Sequence, residues 1–365
     1  MRLNKLPIVY GLIACVFLAC RPFGHDETKS TGVYADAVFD KMFQMQGPGF
    51  TGGDATYSVV LPDGRTVWIF GDTFIGSVSQ ELTREKTDPM YIRNCFVVQD
   101  GEQMTTRHLG KPEEFRSMII PDEVVYGAKP NERDIWYWPG DGFVNMDTLN
   151  VFVSKFHQAD TGMWGFEFLE TELVSFLLPH IEEVKKSKLS FADQTGIHFG
   201  HAVFEMGKTL YIYGLGNGRP YVAKVSAESV AADWEFYTGN GWSDDVAEAK
   251  PMINIEGSEQ FTILKLEGKY VLITQLGSLS RKVCSYISTN PYGPWSKQEV
   301  LFETPIDESN SDLFTYNALV HPQFTSDREL LISYNTNSMN LEDHFRKASI
   351  YRPRFMRVPI DLIFN

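Results

Sequence analysis

Five polar residues that occupy the same place in a repeated pattern are the first candidates for chemistry. Each introduces an apolar run that leads through a turn into a second apolar run, and after a longer first step they recur about every 60 residues. They are Asp54, Asp141, His201, Glu259 and Asn317. Three carboxylates converging on one pocket would suit the hydrolysis of a glycosidic bond, which needs one protonated carboxyl and one ionised carboxyl. The competing interpretation is that these residues simply terminate turns.

The second apolar runs of the pattern are typical of β-strands, and they begin at Thr66, Leu149, Leu210, Tyr270 and Glu329. Strand pairs repeated at this period predict an all-β fold, and five units predict a five-bladed β-propeller. In a blade the first strand lines the channel and the second returns antiparallel. We therefore expect the five polar residues to begin the inner strands and to surround one mouth of the channel, with Asp72 beside Asp54. The strand from Tyr351 to Pro359 is expected to be the outermost of the last blade.

Other residues are expected at the same mouth because of their positions in the repeat. Arginines begin several third strands, where a guanidinium could hold an acid ionised or bind an anionic substrate; they are Arg93, Arg219, Arg281 and Arg346. Aromatic rings stack on sugars, although most aromatic residues of a propeller pack between blades. The predicted substrate-binding residues are Asp72, Arg93, Trp138, His201, Arg219, Arg281, Tyr316 and Asn317.

Three histidines could line the channel, where they would bind a water molecule or a cation. His198 and His201 lie close together in the third unit, and His321 lies in the fifth. A zinc site is not expected, because no third soft ligand lies within motif distance of the histidine pair. No metal site and no cofactor are therefore predicted, and a calcium ion in the channel is left open.

The N-terminus has the pattern of an export signal. Arg2 and Lys5 precede an apolar run, Ile8 to Ala19, that is too short to span a bilayer. We interpret residues 1–19 as a lipoprotein-type signal peptide, Cys20 as the lipid-bearing residue, 20–45 as a tether and 46–365 as the propeller. Cys15 is the alternative lipid site, and a plain secretory signal is the alternative to a lipoprotein signal. The prediction is a protein exported and anchored by lipid to a bacterial membrane.

Charge and cysteine usage narrow the function further. The net charge of −14 argues against nucleic acid as a partner, since binding to it needs a basic surface. Cys95 and Cys284 fall in units that would not be adjacent in a ring of five, so we expect buried free thiols and no disulfide between them. We also expect the protein to be a monomer. A short surface helix is expected between Phe176 and Lys188.

Three segments resemble a known family. The stretch from Gly52 to Gly76 resembles the first blade of bacterial propeller proteins long labelled as domains of unknown function, some of whose wider group are endo-acting arabinanases that cut D-arabinofuranose polymers. The stretch from Trp138 to Phe143 belongs to the same resemblance. The stretch from Ser288 to Trp295 is also similar to one in arabinanase and xylosidase propellers. The sequence motifs of sialidases and fructosidases are missing.

The resemblance implies roles for three of the five polar residues. In arabinanase and xylosidase propellers an aspartate of blade one is the base, a second aspartate modulates a pKa, and a glutamate of a later blade is the acid. Carried over, Asp54 would be the base, Asp141 the modulator and Glu259 the acid. The implied function is a glycoside hydrolase acting on a poly- or oligosaccharide, for which an arabinofuranose-containing glycan is one candidate substrate. The alternative is a non-catalytic glycan-binding surface lipoprotein.

Overall fold

A computed structural model describes residues 32–86, 90–111, 114–162, 164–189, 191 and 195–364. The described residues lie in one compact unit. The predicted signal peptide and Cys20 lie outside them. Within the described chain, no helix has both the length and the apolar character that crossing a bilayer requires.

The fold is all-β, with strands that follow one another along almost the whole described chain. The first strands are β1 (Tyr34–Ala35), β2 (Gly49–Gly53), β3 (Tyr57–Val60), β4 (Thr66–Phe70), β5 (Thr73–Gly76), β6 (Tyr91–Ile92), β7 (Cys95–Asp100) and β8 (Gln103–Arg107). The next are β9 (Ile135–Asn145), β10 (Thr148–Gln158), β11 (Phe166–Leu177), β12 (Glu182–Lys188), β13 (His198–Met206), β14 (Thr209–Gly216), β15 (Arg219–Ser226), β16 (Glu235–Tyr237) and β17 (Trp242–Ser243). The last are β18 (Gly257–Leu266), β19 (Lys269–Leu276), β20 (Lys282–Ser288), β21 (Ser296–Glu303), β22 (Leu313–Val320), β23 (Glu329–Ser338) and β24 (Pro353–Pro359). The helices are α1 (Ala37–Met42), α2 (Leu341–Arg346) and α3 (Asp361–Phe364).

The strands form antiparallel sheets, three of which consist only of consecutive strands. The larger sheets have the orders β3-β4-β7-β8, β9-β10-β11-β12, β13-β14-β15-β16-β17, β18-β19-β20-β21 and β22-β23-β24-β1, and β2-β5-β6 forms a smaller one. The predicted strand pairs are confirmed, since each pairs as the first two strands of one large sheet. Cys95 and Cys284 begin or lie in third strands and are buried free thiols, as expected.

The apolar cores lie between successive large sheets. Val67 and Val151 share one core between the first and second sheets, and Phe152 and Ile212 share the next. Further cores lie between the third and fourth sheets and between the fourth and fifth. A last core joins the fifth sheet to the first through Trp68 and Phe355. Each second strand is therefore covered on both faces, which explains why its sequence is almost continuously apolar.

The two ends of the described chain meet in the last sheet. Strand β1 pairs with β24, so β1 is the outermost strand and β24 is the third, not the outermost as predicted. Phe39 and Phe43 of the segment around α1 pack on Trp68 and Phe355. The folded domain therefore begins before residue 46, because the predicted tether supplies a strand and two core aromatic residues. The predicted helix between Phe176 and Lys188 is wrong, since this segment is the hairpin of β11 and β12.

The five polar residues of the repeat all lie where pairing between the first and second strands is interrupted. Four lie within β9, β13, β18 and β22, at breaks in register with the strand that follows. Asp54 lies in the gap between β2 and β3. The sequence suggested that these residues begin their strands, but four of the five lie a few residues inside them. A β-bulge re-aims side chains without ending the strand, which gives each residue a distinct direction.

Candidate active site

Asp54 is held by two tyrosine hydroxyl groups. Its Oδ2 atom accepts hydrogen bonds from Tyr316 Oη at 2.8 Å and from Tyr351 Oη at 2.7 Å. The other oxygen, Oδ1, lies against Gly71, where a Cβ atom would be only 2.5 Å away. Burial, followed by the nearby charge of Asp72, raises the pKa of Asp54 to about 7. Asp54 can therefore carry or release a proton near neutral pH.

Asp72 lies beside Asp54 on the adjoining strand end, as predicted. The Asp54 N–H donates to the Asp72 backbone carbonyl at 3.3 Å, and the Gly71 N–H donates to that of Asp54 at 3.0 Å. The Asp72 carboxylate accepts from Trp138 Nε1 at 2.9 Å and forms an ion pair with Arg93 Nη1 at 3.2 Å. Burial raises the pKa of Asp72, and Arg93 opposes this rise. We call Asp54 and Asp72 the aspartate pair.

Arg93 is fixed in place by neighbours on several sides. Its guanidinium lies 3.9 Å from the centre of the Trp136 ring, and its Nε donates to the Glu132 backbone carbonyl at 3.0 Å. An arginine that is buried, stacked and hydrogen-bonded loses little further freedom on pairing with a carboxylate. The expected contact between one of the four predicted arginines and an acid is thus present at Arg93 and Asp72.

Glu259 and two histidines form a second group. Glu259 Oε1 lies 2.5 Å from His198 Nδ1 and 3.0 Å from His201 Nε2. Tyr57 Oη lies 3.2 Å from the other ring nitrogen of His201. Burial acts to raise the pKa of Glu259, but the two imidazoles outweigh it and hold the pKa well below the usual range. Glu259 is therefore ionised at neutral pH, which is unfavourable for a general acid.

Asp141 connects two sheets through its carboxylate. Oδ1 accepts from the Gly142 N–H and Oδ2 accepts from the Val203 N–H, both at 2.8 Å. Gly142 is in β9 and Val203 is in β13, so the side chain ties these two strands together. Burial raises the pKa of Asp141 to about 7, although both backbone bonds act in the opposite direction.

No hydrogen bond or ion pair joins the remaining predicted residues to these groups in the described part of the chain. Arg281 pairs with Glu308 at 2.7 Å, and Arg219 and Arg346 are exposed. Asn317 is buried at its bulge with φ of 59°, a left-handed conformation that asparagine adopts more readily than most residues. The structure thus brings Asp54, Asp72, Arg93, Trp138 and Tyr316 together, and separately joins His201 to Glu259.

Tyr351 is the functional candidate that sequence reasoning missed. It lies in the loop between α2 and β24 with φ of 70°, outside the repeated strand pairs. Burial and the nearby Asp54 charge raise the pKa of its hydroxyl well above the ordinary value, so it remains a donor. Only the tertiary structure places this loop over Asp54, and no spacing in the sequence indicates it.

Comparison with known families adds a classification to this geometry. The sequence profile described as Domain of unknown function (DUF5005) matches residues 36–360. The chain belongs to the DUF5005 family. The matched region begins at Asp36, which caps α1 and so agrees with the early start of the folded domain. Among curated proteins, nothing matches this DUF5005 chain significantly.

Solved structures share the fold of this DUF5005 protein. A candidate hydrolase from Bacteroides ovatus ATCC 8483 superposes with a TM-score of 0.78 at 23% identity, covering 89% of this chain and 90% of that one. A xylan β-1,4-xylosidase from Bacillus halodurans C-125 superposes with a TM-score of 0.51 at 10% identity, covering 86% of this chain. The match spans 54% of the xylosidase, about half its length. At these identities the likeness is one of fold.

Proposed function

We propose that this DUF5005 protein is a glycoside hydrolase whose catalytic carboxyl groups are those of the aspartate pair. The observation that carries the proposal is the unequal environment of Asp54 and Asp72. Burial and the nearby charge of Asp72 raise the pKa of Asp54 to about 7, whereas the pKa of Asp72, also raised by burial, is lowered by its ion pair with Arg93. Two adjacent carboxyls whose environments favour different protonation states are what acid-assisted cleavage of a glycosidic bond requires.

The pair would carry one proton near neutral pH, because two neighbouring carboxylates disfavour double ionisation. Asp54 would give this proton to the glycosidic oxygen as the bond from the anomeric carbon to that oxygen breaks. Asp72, ionised and oriented by Arg93 and Trp138, would act as base for water or as nucleophile. Tyr316 and Tyr351 would then stabilise the negative charge left on Asp54.

These roles differ from those that the family resemblance implied. The resemblance made Asp54 the base and Glu259 the acid. The raised pKa of Asp54 and the lowered pKa of Glu259 favour Asp54 as the proton donor instead. Asp141 has both oxygens occupied by backbone donors, so we assign it a bracing role between β9 and β13.

We also propose that the fold is a five-bladed β-propeller with the aspartate pair at one mouth. Support comes from the cyclic order of the cores, since the last core lies between the fifth large sheet and the first. Polar contacts join these same sheets, because Ser58 Oγ of β3 lies 2.6 Å from His321 Nδ1 directly after β22. Closure of a sheet array in this way leaves few free edges.

An aromatic surface beside Asp72 is suited to a sugar ring. Trp164 is 61% exposed, and its ring neighbours Phe166, whose ring packs on Trp138. Because Trp138 also donates to Asp72, this row leads from solvent to the aspartate pair. Apolar faces of sugars pack well on such rings. We propose that Trp164 contacts the glycan beyond the cleaved bond.

The decisive test is turnover by the purified protein. It would be incubated with a panel of arabinan, D-arabinofuranose polymers, xylan and galactan, and the products would be identified by mass spectrometry. On any substrate found, Asp54→Asn and Asp72→Asn should each reduce kcat by at least about 100-fold while leaving glycan binding measurable by calorimetry. Binding without turnover across the panel would favour the glycan-binding alternative, and full activity in both variants would refute the assignment.

The role of Asp54 as acid has its own test. A nitrophenyl glycoside has a leaving group that needs little protonation. Asp54→Asn should therefore retain much more activity on such a substrate than on a natural glycan, whereas Asp72→Asn should lose activity on both. Equal losses on both substrates in Asp54→Asn would argue against the acid role.

Export and anchoring are proposed on the sequence pattern alone. A lipid on Cys20 would place this acidic domain at a bacterial membrane surface with access to external glycans. Labelling with a clickable palmitate analogue in a bacterial host should mark the wild type. Cys20→Ala should abolish the label, and Cys15→Ala should not. Labelling that depends on Cys15 would move the lipid site, and its absence would leave a plain secretory signal.

A further inference from the structure

We propose that His198, His201 and Glu259 form a binding site for a divalent transition metal ion, with zinc as the best-matched species. We call these residues the two-histidine site. The proposal does not depend on the glycosidase activity, since the aspartate pair comprises different residues.

The three ligand atoms lie close enough to share one ion. His198 Nδ1, His201 Nε2 and one carboxylate oxygen of Glu259 all lie within 4.8 Å of one another. Two imidazole nitrogens and a carboxylate oxygen are a recurrent ligand set for zinc sites that keep a fourth position open. The side chain of Glu259 is 43% exposed, so water and ions can reach the site from the mouth.

His201 supplies an independent indication of a ligand. Its side chain is only 7% exposed, and its Nε2 atom has no hydrogen-bond partner of acceptable geometry among the described residues. A buried ring nitrogen without such a bond is uncommon in folded proteins. This atom lies 3.0 Å from Glu259 Oε1, on the side of the ring that faces the carboxylate and the proposed site.

The opposite nitrogen of His201 is held in the way typical of a metal ligand. Nδ1 lies 3.2 Å from Tyr57 Oη. If Nδ1 carries the proton and donates it to this hydroxyl, the lone pair of Nε2 is left free for an ion. Metal-bound histidines usually have such an outer partner, which fixes both the tautomer and the ring orientation. Tyr57 is therefore the proposed positioning residue of the site.

The backbone explains why two histidines three positions apart point the same way. In a regular strand, residues i and i+3 point to opposite faces. The break in register between Phe199 and Ala202 inserts extra residues, Gly200 among them, and so changes the alternation between the histidines. His198 is also oriented by Phe168, whose ring centre lies 3.9 Å from its own. Both ligands are thus set by the fold before any ion binds.

The third ligand was not recognisable from sequence spacing. The sequence alone does not predict zinc, because the histidine pair has no soft ligand nearby in sequence. Glu259 comes from β18, the first strand of the next large sheet, which lies beside β13. The site therefore joins two sheets at their inner strands, and an ion there would link them.

The test measures metal binding directly on the full chain. Protein stripped with a chelator and dialysed would be titrated with Zn²⁺ by calorimetry, and Co²⁺ would be added as a spectroscopic probe for bands of tetrahedral coordination. We expect one ion per chain. Glu259→Gln and His201→Gln, which keep side-chain volume, should weaken binding by at least about 100-fold, and Tyr57→Phe by about 10-fold. His180→Ala, which changes an exposed histidine, should bind as the wild type does.

Thermal unfolding with and without Zn²⁺ separates a lost site from a lost fold. A variant that melts cooperatively at a temperature near that of the wild type but gains no stability from Zn²⁺ supports the proposal. Absence of binding to wild-type protein would overturn it. Binding of Zn²⁺ or Ca²⁺ that survives Glu259→Gln and His201→Gln would also overturn it, because the ion would then lie elsewhere. Since no outcome depends on turnover, failure of the glycosidase proposal would leave this result standing.

Discussion

The backbone N–H of Asp54 donates to the backbone carbonyl of Asp72 at 3.3 Å, which fixes the two aspartates side by side at adjoining strand ends. Their side chains then meet different partners. Asp54 accepts hydrogen bonds from two phenol hydroxyls, and Asp72 pairs with a guanidinium and accepts from an indole N–H. The main chain thus makes the carboxyls neighbours, and the side chains around them give each carboxyl its own set of donors.

Removing a tyrosine hydroxyl from Asp54 should raise its pKa. The hydrogen bonds from Tyr316 and Tyr351 favour the ionised form, so each lowers the pKa of Asp54 against the effect of burial. In Tyr351→Phe the proton should be retained to higher pH, and the alkaline limb of the kcat/KM profile should move upward by about one pH unit. Tyr334→Phe, whose hydroxyl donates to the Pro305 carbonyl, is the control. A shift to lower pH would contradict the acid role of Asp54.

Replacing Arg93 should affect the other limb of the profile. Arg93 lowers the pKa of Asp72 against the effect of burial, so its loss should raise that pKa. In Arg93→Met, Asp72 would ionise only at higher pH, and the acidic limb of kcat/KM should shift upward with a reduced maximum. Arg281→Met, which removes an arginine paired with Glu308 instead, should leave the profile unchanged. An unshifted acidic limb in Arg93→Met would remove Asp72 from the proposed role.

The raised pKa of Asp54 predicts a pH-dependent gain in stability on substitution. A carboxyl whose pKa is raised in the folded state loses its contribution as pH rises from its ordinary value of 3.8 to about 7. Asp54→Asn removes the buried charge, so its Tm should exceed that of the wild type at pH 8 by at least about 2 °C. The difference should vanish near pH 4. A difference that does not change with pH would contradict the raised pKa.

The bulge in β13 should depend on Gly200. Its φ is 103°, and a Cβ atom there would lie 2.3 Å from the Cβ of Phe152. Gly200→Ala should therefore lower the free energy of unfolding by at least about 2 kcal/mol more than Gly207→Ala. Gly207 has φ of 65° with open space around the added atom, so it isolates the backbone effect. Urea unfolding of both variants measures the difference. Equal losses of stability would show that the close approach to Phe152 adds nothing to the backbone effect.

Trp164 should affect substrate binding more than chemistry. Its ring is exposed and lies outside the aspartate pair, so Trp164→Ala should raise KM about tenfold with little change in kcat. Met146→Ala, at an exposed turn between β9 and β10, is the control for loss of exposed apolar surface. A fall in kcat at constant KM would place Trp164 among the residues that act in the transition state.

The strand pairs could be predicted from sequence because each second strand is covered on both faces and must be apolar. Val67 and Trp68 show this directly, because they are neighbours in β4 and lie in different cores. The position of His201 inside its strand could not be predicted in the same way, because a bulge changes pairing without changing composition. Tyr351 was missed because a loop contact obeys no period. The start of the domain was misassigned because the sequence around Phe39 and Phe43 does not show that these side chains pack on the last sheet.

At a bulge, the chemical role of a side chain is largely separate from the requirements of strand pairing. A residue at an interruption of the ladder has no directly opposed cross-strand neighbour, so strand packing restricts the type of its side chain less. Asp54, Asp141, His201, Glu259 and Asn317 occupy five such positions, and they already differ in chemical type. Evolution or protein engineering can therefore alter the chemistry there by single substitutions while most of the scaffold stays constant. Asp141 is the exception, because its carboxylate ties β9 to β13.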